Sequence, residues 1–257
     1  MNNKIKITFL GTGTSQGVPV IGCDCEVCRS TDKKNKRLRS SIMVETDDAC
    51  FTIDAGPDFR YQMLRQNVKD IDGIVITHSH KDHIAGLDDV RAFNWLRKKD
   101  MNIYASKEDQ KVIMKEFSYA FGENLYPGVP RFNLIEIDEE PFKINNTIIT
   151  PLKALHQRME VRGFRIGDFA YITDTHYIPP STLTQISDCK TVVLSAVRHE
   201  PHPSHYSLSE AIKMLEFIRP EKGYITHLSH LMGLHGEVSK ELPEFVELAY
   251  DGLEVLL

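Results

Sequence analysis

No stretch of this chain is apolar for long enough to span a bilayer, because its strand-like runs stop after a handful of residues and crossing needs ~20. Neither sign of charge dominates. With 31 basic and 36 acidic residues the net charge is −5, too mild for the field that gathers nucleic acid or an anionic membrane surface. Cysteine is scarce, five in 257 residues, and an odd, clustered set makes no disulfide framework. Low-complexity stretches, linkers and sequence repeats are missing too. The opening "MNNKIKITFLGTG" enters a strand pattern at once, leaving no charged n-region and apolar h-region. The expectation is one cytoplasmic domain over 1–257, long enough to bury roughly 70–75% of its unfolded surface. One local exception is "DKKNKRLR" at 32–39, with Lys33, Lys34, Lys36, Arg37 and Arg39. That run reads first as a solvated loop and second as an anion-binding edge.

What is present is a series of short apolar runs, many ending in small or polar residues. "KIKITFLG" (4–11) alternates and stops at Gly11; "SIMVET" (41–46) and "CFTIDAG" (50–56) read as a hairpin pair turning at Asp47-Asp48. "GIVITHSH" (73–80) and "MNIYAS" (101–106) are strand patterns, the latter followed by a helical pattern over 107–121. Further runs occupy 147–156, 163–175, 191–197 and 222–230. "SLSEAIKMLEFIRP" reads as a helix opening on Ser207 with Glu210 three later, a capping box, and closing at Pro220. "FVELAYDGLEVLL" reads as a terminal hairpin turning at Asp251-Gly252. Strands interleaved with helices throughout predict an α/β fold whose sheets are covered by helices.

Two clusters carry chemistry. "THSHKDHIAG" (77–86) places four ligand-type residues in six positions just past a strand. Residues two apart on an extended segment point the same way, so His78 and His80 can face one metal. If the chain then enters a helix, Asp82 and His83 project together from its first turn toward a second. His156, Asp174 and His227 each follow an apolar run, which matches the placing of sites at carboxyl strand ends in α/β sheets. The second cluster is "GCDCEVC" (22–28), where Cys23, Cys25 and Cys28 form a soft-metal clamp one ligand short. Cys50 and Cys189 lie in apolar surroundings and read as core thiols. Asp54, in "TIDAG", follows an apolar strand and reads as a carboxylate that orients ligand histidines. "GTGTSQG" (11–17) lacks the Gly-Lys-Ser/Thr ending of a nucleotide-binding loop and reads as a tight turn lining the cleft.

"HSHKDH" with the later His156, Asp174 and His227, the opening "LGTGTSQGVP" and the "IDAG" at 53–56 resembles the metallo-β-lactamase-fold hydrolases over essentially the whole chain. Within them it is most similar to the PhnP-type phosphodiesterases that open cyclic phosphates. The resemblance implies a four-layer αββα sandwich with metals at one edge of the paired sheets. Carried over, His78, His80 and His156 would hold one divalent ion and Asp82, His83 and His227 the other, with Asp174 bridging both. The ions would be Mn or Zn, with Fe as a further option, since His/Asp sites accept each. His230 would complete a structural Cys3His zinc site with Cys23, Cys25 and Cys28, stapling that loop to the segment that carries His227. His205, in "SHYSLSE", would be the catalytic histidine, with Asp82 and Asp174 serving catalysis through the metals.

The implied reaction is hydrolysis of a small, anionic, cyclic or open phosphate diester. A metal-bridging hydroxide would attack phosphorus and His205 would protonate the leaving oxygen. Two dications set against Asp82, Asp174 and one hydroxide leave the site positive by about one charge, which favours an anion. The residues alone leave His199, His202 and His205 as equal candidates for the acid. The start of the Ser207 helix is a further place for a phosphate oxygen. Neither a nucleic-acid duplex nor a membrane is expected as partner, and a homodimer is an assembly the resemblance allows. A tRNA 3′-processing endonuclease shares the pattern, but Lys81 stands where such enzymes carry glycine. Only Gly122 and Gly128 fall between Val90 and His156, which leaves little for a Gly-rich arm. A metal-bearing oxidoreductase or a non-catalytic metal module is more remote: the diiron relatives carry Glu where His80 stands, and the ligand set here is complete. Substrate shape would come from loops such as 117–131.

Overall fold

The computed structural model describes residues 4–122 and 125–257. Its strands are β1 (Lys6–Gly11), β2 (Ser41–Glu45), β3 (Cys50–Ile53), β4 (Gly73–Val75), β5 (Met101–Ala105), β6 (Phe132–Glu136), β7 (Phe142–Ile144), β8 (Thr147–His156), β9 (Met159–Ile166), β10 (Phe169–Ile172), β11 (Thr191–Ser195), β12 (Lys222–Thr226), β13 (Val246–Leu248) and β14 (Glu254–Leu256). The helices are α1 (Glu26–Arg29), α2 (Phe59–Arg65), α3 (Lys81–Ile84), α4 (Arg91–Arg97), α5 (Lys107–Glu116), α6 (Pro180–Gln185), α7 (Leu208–Ile218) and α8 (His235–Val238). Among the described residues the strands form two seven-stranded sheets, ordered β14-β1-β2-β3-β4-β5-β6 and β13-β12-β11-β10-β9-β8-β7.

The period of two along each strand divides the apolar side chains among three cores. Ile7, Phe9, Ile42, Val44, Val75 and Tyr104 of one sheet meet Phe169, Tyr171, Val193 and Tyr224 of the other. Their alternate neighbours Met43, Ile74 and Ile103 face outward against Phe59, Met63, Phe93 and Ile113 of the helices. On the far side Ala170, Ile172, Val192, Leu194 and Ile225 pack beneath Leu208, Ala211, Leu215 and Ile218 of α7. Helix, sheet, sheet and helix therefore stack as the expected αββα sandwich.

The terminal hairpin is not formed. Asp251 and Gly252 do turn the chain, with Gly252 at φ +91°, but β13 pairs parallel with β12 while β14 pairs antiparallel with β1. The segment crosses from one sheet to the other. The turn is held in place by the Asp251 carboxylate, which accepts from Thr12 Oγ1 (2.8 Å), Leu38 N (2.8 Å) and Arg65 Nη1 (3.3 Å). Both sheets are thereby closed at one edge by consecutive strands. The run 163–175 divides too, into the end of β9 and β10, turning at Gly167 (φ +57°).

The capping box on α7 is present. Ser207 Oγ accepts from Glu210 N, and the Glu210 carboxylate accepts from Ser207 N at 2.8 Å. Leu208 N is spent on Arg198 O. Three first-turn donors are thereby satisfied and Ser207 is almost wholly buried, which leaves Ser209 N as the amide at this helix start with no partner among the described residues. Ser207→Ala is expected to lower unfolding free energy by about 1 kcal/mol, measured by urea denaturation.

The basic run 32–39 divides: Lys33 and Lys34 are exposed, as a solvated loop has them, and Arg37 is not. Arg37 is 6% exposed and donates to Thr12 Oγ1 and Ala249 O at 2.8 and 2.7 Å. Arg39 pairs with Asp58, and Lys36 Nζ donates to Cys28 O. The later part of the run is therefore internal structure: Arg37 ties the loop after β1 to the C-terminal crossing, and Arg39 ties that loop to Asp58 at the start of α2. No helix among the described residues is long and apolar enough to cross a membrane.

Candidate metal centre and Cys3His cluster

Six carboxyl strand ends deliver side chains to one edge of the sandwich. Asp54 follows β3, His78 follows β4, His156 ends β8, Asp174 follows β10, and His227 follows β12. Ser195, ending β11, supports this rim by accepting from Thr175 N. Asp54, Asp174 and His227 have φ of +67°, +50° and +60°, a left-handed backbone that costs a residue with a Cβ about 1–2 kcal/mol. Such outliers persist where surrounding contacts over-determine them, and they cluster at functional sites.

His80 and α3 come next in the chain. The backbone of α3 lies directly on the loop after β3: Ala55 N donates to His83 O and Gly86 N to Ala55 O. A Cβ at Gly56 would sit 2.0 Å from Asp82 O, and one at Gly86 2.0 Å from Gly56 O. Only glycines permit that approach, and it aims Asp82 and His83 into the edge.

The donor atoms converge as two groups that share Asp174. Asp82, His83, Asp174 and His227 offer atoms all within 4.8 Å of one another, and so do His78, His80 and Asp174. His156 stands beside the second group, its ring 5.2 Å from that of His80 and 5.9 Å from that of His78. Asp174 Oδ2 is 2.8 Å from His83 Nε2 and 3.4 Å from His78 Nε2, and Oδ1 is 3.0 Å from His227 Nε2.

Hydrogen accounting fixes which nitrogen faces inward. His83 Nδ1 is 2.7 Å from Asp54 Oδ2 and His156 Nδ1 is 2.9 Å from Ser204 O. Both partners only accept, so both Nδ1 atoms carry the proton. Thr77 Oγ1 donates to Asp54 Oδ2 at 2.8 Å, so towards His78 Nδ1, 3.0 Å away, it accepts. Each Nε2 is left with its lone pair directed at the cluster. His78 Nε2 and His83 Nε2 are buried without a hydrogen-bond partner among the described residues. Lone pairs facing buried carboxylates with no proton donor between them suit a cation, so this donor set fits divalent metal.

The carboxylates draw positive charge to this edge, whether it comes as a proton on His83 or as a cation that displaces that proton. Burial alone would push His83 down, yet Asp174, Asp54 and Asp82 together hold it well above the ordinary imidazole range. His78 goes the other way, pushed well down by burial and by neighbouring His83. Burial would raise Asp174, but His227 and His83 outweigh it and hold its carboxyl well below the usual range. The carboxylates number three once Asp54 is counted, which removes the unit of net positive charge expected from two. Asp54 lies on the Nδ1 side of His83, however, away from the donor face, and acts on the ring rather than in the cleft.

Cys23 Sγ and Cys25 Sγ are each 3.3 Å from His230 Nδ1, and with Cys28 the four donor atoms lie within 4.8 Å of one another. The Cys28 backbone N–H, then His230, lower the Cys25 thiol to about 6, whereas burial raises Cys28 to about 11. A closed set of three sulfurs and one imidazole suits tetrahedral zinc. Cys189 is buried in the core beneath α7 and Cys50 is half-buried on β3, and burial raises them to about 11 and 12.

The three histidines that the sequence left as candidates for the acid are not equivalent. His199 is exposed and its Nε2 donates to Met232 O at 2.9 Å. His202 is held through Nδ1 by Ser204 N at 3.3 Å, its ring 5.0 Å from that of His205. His205 lies against the cluster itself, 4.5 Å from the His156 ring, 5.2 Å from the His227 ring, and with Nδ1 3.9 Å from Asp174 Oδ1. Burial, reinforced by His227, brings it down to about 3. The sequence reading missed Thr77, Ser40 and Ser204 as partners of the histidines. Only Thr77 had a local signal, a hydroxyl directly before the motif.

Residues 50–228 match the model of the beta-lactamase superfamily domain, and the chain belongs to that superfamily; its fold and donor set are those of a metal-dependent hydrolase. Within it the likeness is to the PhnP family: the crystal structure of a new diphosphatase from that family is 37% identical, covering 99% of this chain and 97% of its own, with a TM-score of 0.93. The octanoyltransferase of Porphyromonas gingivalis is 36% identical over 98% of this chain but 52% of its own length. The chain thus spans about half the length of that curated relative. The short form of human tRNase Z shares the fold at 19% identity and a TM-score of 0.68, with 97% and 98% of the two chains covered.

Proposed function

We propose that this chain hydrolyses small anionic phosphate diesters, cyclic ones included. The observation that carries the reading is the convergence of the Nε2 atoms of His78, after β4, His83, on α3, and His227, after β12, on Asp174. His78, His80 and His156 would hold one divalent cation, Asp82, His83 and His227 another, with Asp174 between them. When bound, such a pair lowers the pKa of a coordinated water toward ~7 and polarises a phosphoryl oxygen.

The chain's own residues supply the rest. Nδ1 anchors at Asp54, Thr77 and Ser204 hold the rings so that no reorientation is needed on binding. Burial, then His227, lower His205 to about 3, so a proton placed on it is readily given up. A substrate anion beside it would favour the imidazolium, which takes its extra proton from solvent on binding and gives it to the oxygen leaving phosphorus, returning to the neutral ring. Cys23, Cys25, Cys28 and His230 would hold a structural zinc three residues from His227, limiting the movement of that ligand. The likeness to a PhnP-family diphosphatase supports a phosphorus centre. The acyl-transfer name belongs to a protein about twice this length.

The test is a metal count and a substrate panel. Protein purified without chelator is expected to carry ~3 metal equivalents, two in the paired site and one with the cysteines. It is expected to turn over a bis-aryl phosphate and a ribose cyclic phosphate in preference to pre-tRNA or an octanoyl thioester. Fully metallated protein that cleaves only pre-tRNA, or no phosphate ester, overturns the reading.

A further inference from the structure

His227 differs from His83 and His156 in what holds its outer nitrogen. Its Nδ1 lies 3.1 Å from Ser40 Oγ, a hydroxyl, which could in principle donate or accept. Ser40 is 1% exposed, and its oxygen also lies 3.0 Å from Gly13 O. A carbonyl cannot donate, so the single hydroxyl hydrogen is committed to Gly13 and only lone pairs remain toward His227. The proton shared between Ser40 and His227 therefore belongs to the imidazole. Nδ1 is protonated, and Nε2 keeps its lone pair on the side where Asp174 Oδ1 lies 3.0 Å away.

The same serine ties the ring to the backbone that holds its strained residue. Ser40 N also donates to Gly13 O at 3.0 Å. Gly13 bridges Leu228, Leu228 N donates to Thr12 O and Thr14 N to Leu228 O. The residue after His227 is clamped by the 12–14 loop, and Ser40 orients the ring from that loop.

We infer that Ser40 is a positioning residue, one that sets the tautomer and ring orientation of His227 and so its readiness to bind a divalent cation through Nε2. The inference rests on the reading of His227 as metal-facing, but its tests involve no substrate. In zinc-loaded protein, two-bond ¹H–¹⁵N spectra are expected to show His227 protonated at Nδ1, and the opposite tautomer overturns the inference even if no variant folds. Ser40→Ala is expected to weaken zinc at the His227 site by ~10–100-fold, the usual cost of losing a partner behind a metal-bound histidine, measured by competition with a chromophoric chelator. Ser40→Thr, which keeps the hydroxyl, is expected to restore it. Alanine and wild-type proteins of equal zinc affinity, or threonine no better than alanine, overturn the inference. A phosphodiesterase assay that fails while these results hold would count against the proposed reaction and leave Ser40's role standing.

Discussion

Alanine at position 205 is expected to slow hydrolysis of a diester with an alkoxide leaving group by ~10²–10⁴-fold, the range for a positioned proton donor, while every metal stays bound. His205 packs against His156 and His227 but is absent from both groups of converging donor atoms. Its Nδ1 is buried and without a hydrogen-bond partner among the described residues, so removal strands no other group. What is lost is a proton at the departing oxygen. A nitrophenolate leaves readily without one, so on a bis-nitrophenyl ester the same variant should lose far less. Rates across a leaving-group series, with metal content by mass spectrometry, decide the matter. A uniform loss across the series, or a loss of metal, would remove His205 from the proton-donor role.

Asp174→Asn is expected to act on both halves of the cluster at once. Asp174 is the one residue common to the two groups of donor atoms, with Oδ2 toward His83 and His78 and Oδ1 toward His227. An amide of nearly equal size keeps the packing and the turn but withdraws the negative charge and one acceptor. The paired site should lose most of its metal and kcat/KM should fall by about 10³-fold or more, several kcal/mol of transition-state stabilisation. The Cys3His cluster shares no residue with it, so about one zinc per chain should remain. Retention of the full metal complement at wild-type affinity would show that Asp174 does not link the two positions.

The contrast between these residues explains how much could be read without coordinates. His78, His80, Asp82 and His83 are legible because strand and helix periods alone aim them, and four ligand types in six positions are locally dense. Asp174 and His227 are single residues, legible only through the shared habit of standing after an apolar run, while the division into two groups came from resemblance. The basic run misled at Arg37, because sequence shows charge but not what lies across from it, here the Thr12 hydroxyl and the Ala249 carbonyl. The terminal segment misled for a related reason. Turn chemistry at Asp251-Gly252 is local, but the partner of each flanking strand is chosen by sheets formed far away in the chain.

The sequence by itself determined the local matters: the alternation that makes two-faced strands, the capping box on α7, and the stock of ligand side chains. These follow from φ, ψ and side-chain chemistry within a few residues. Only the tertiary structure decided which Nδ1 meets which acceptor, that Arg37 is buried, that β13 and β14 part company, and that Ser40 stands behind His227, 187 positions away. Those are contacts between distant segments. Their geometry is settled by how two sheets pack and close, and no local pattern of residues carries that information.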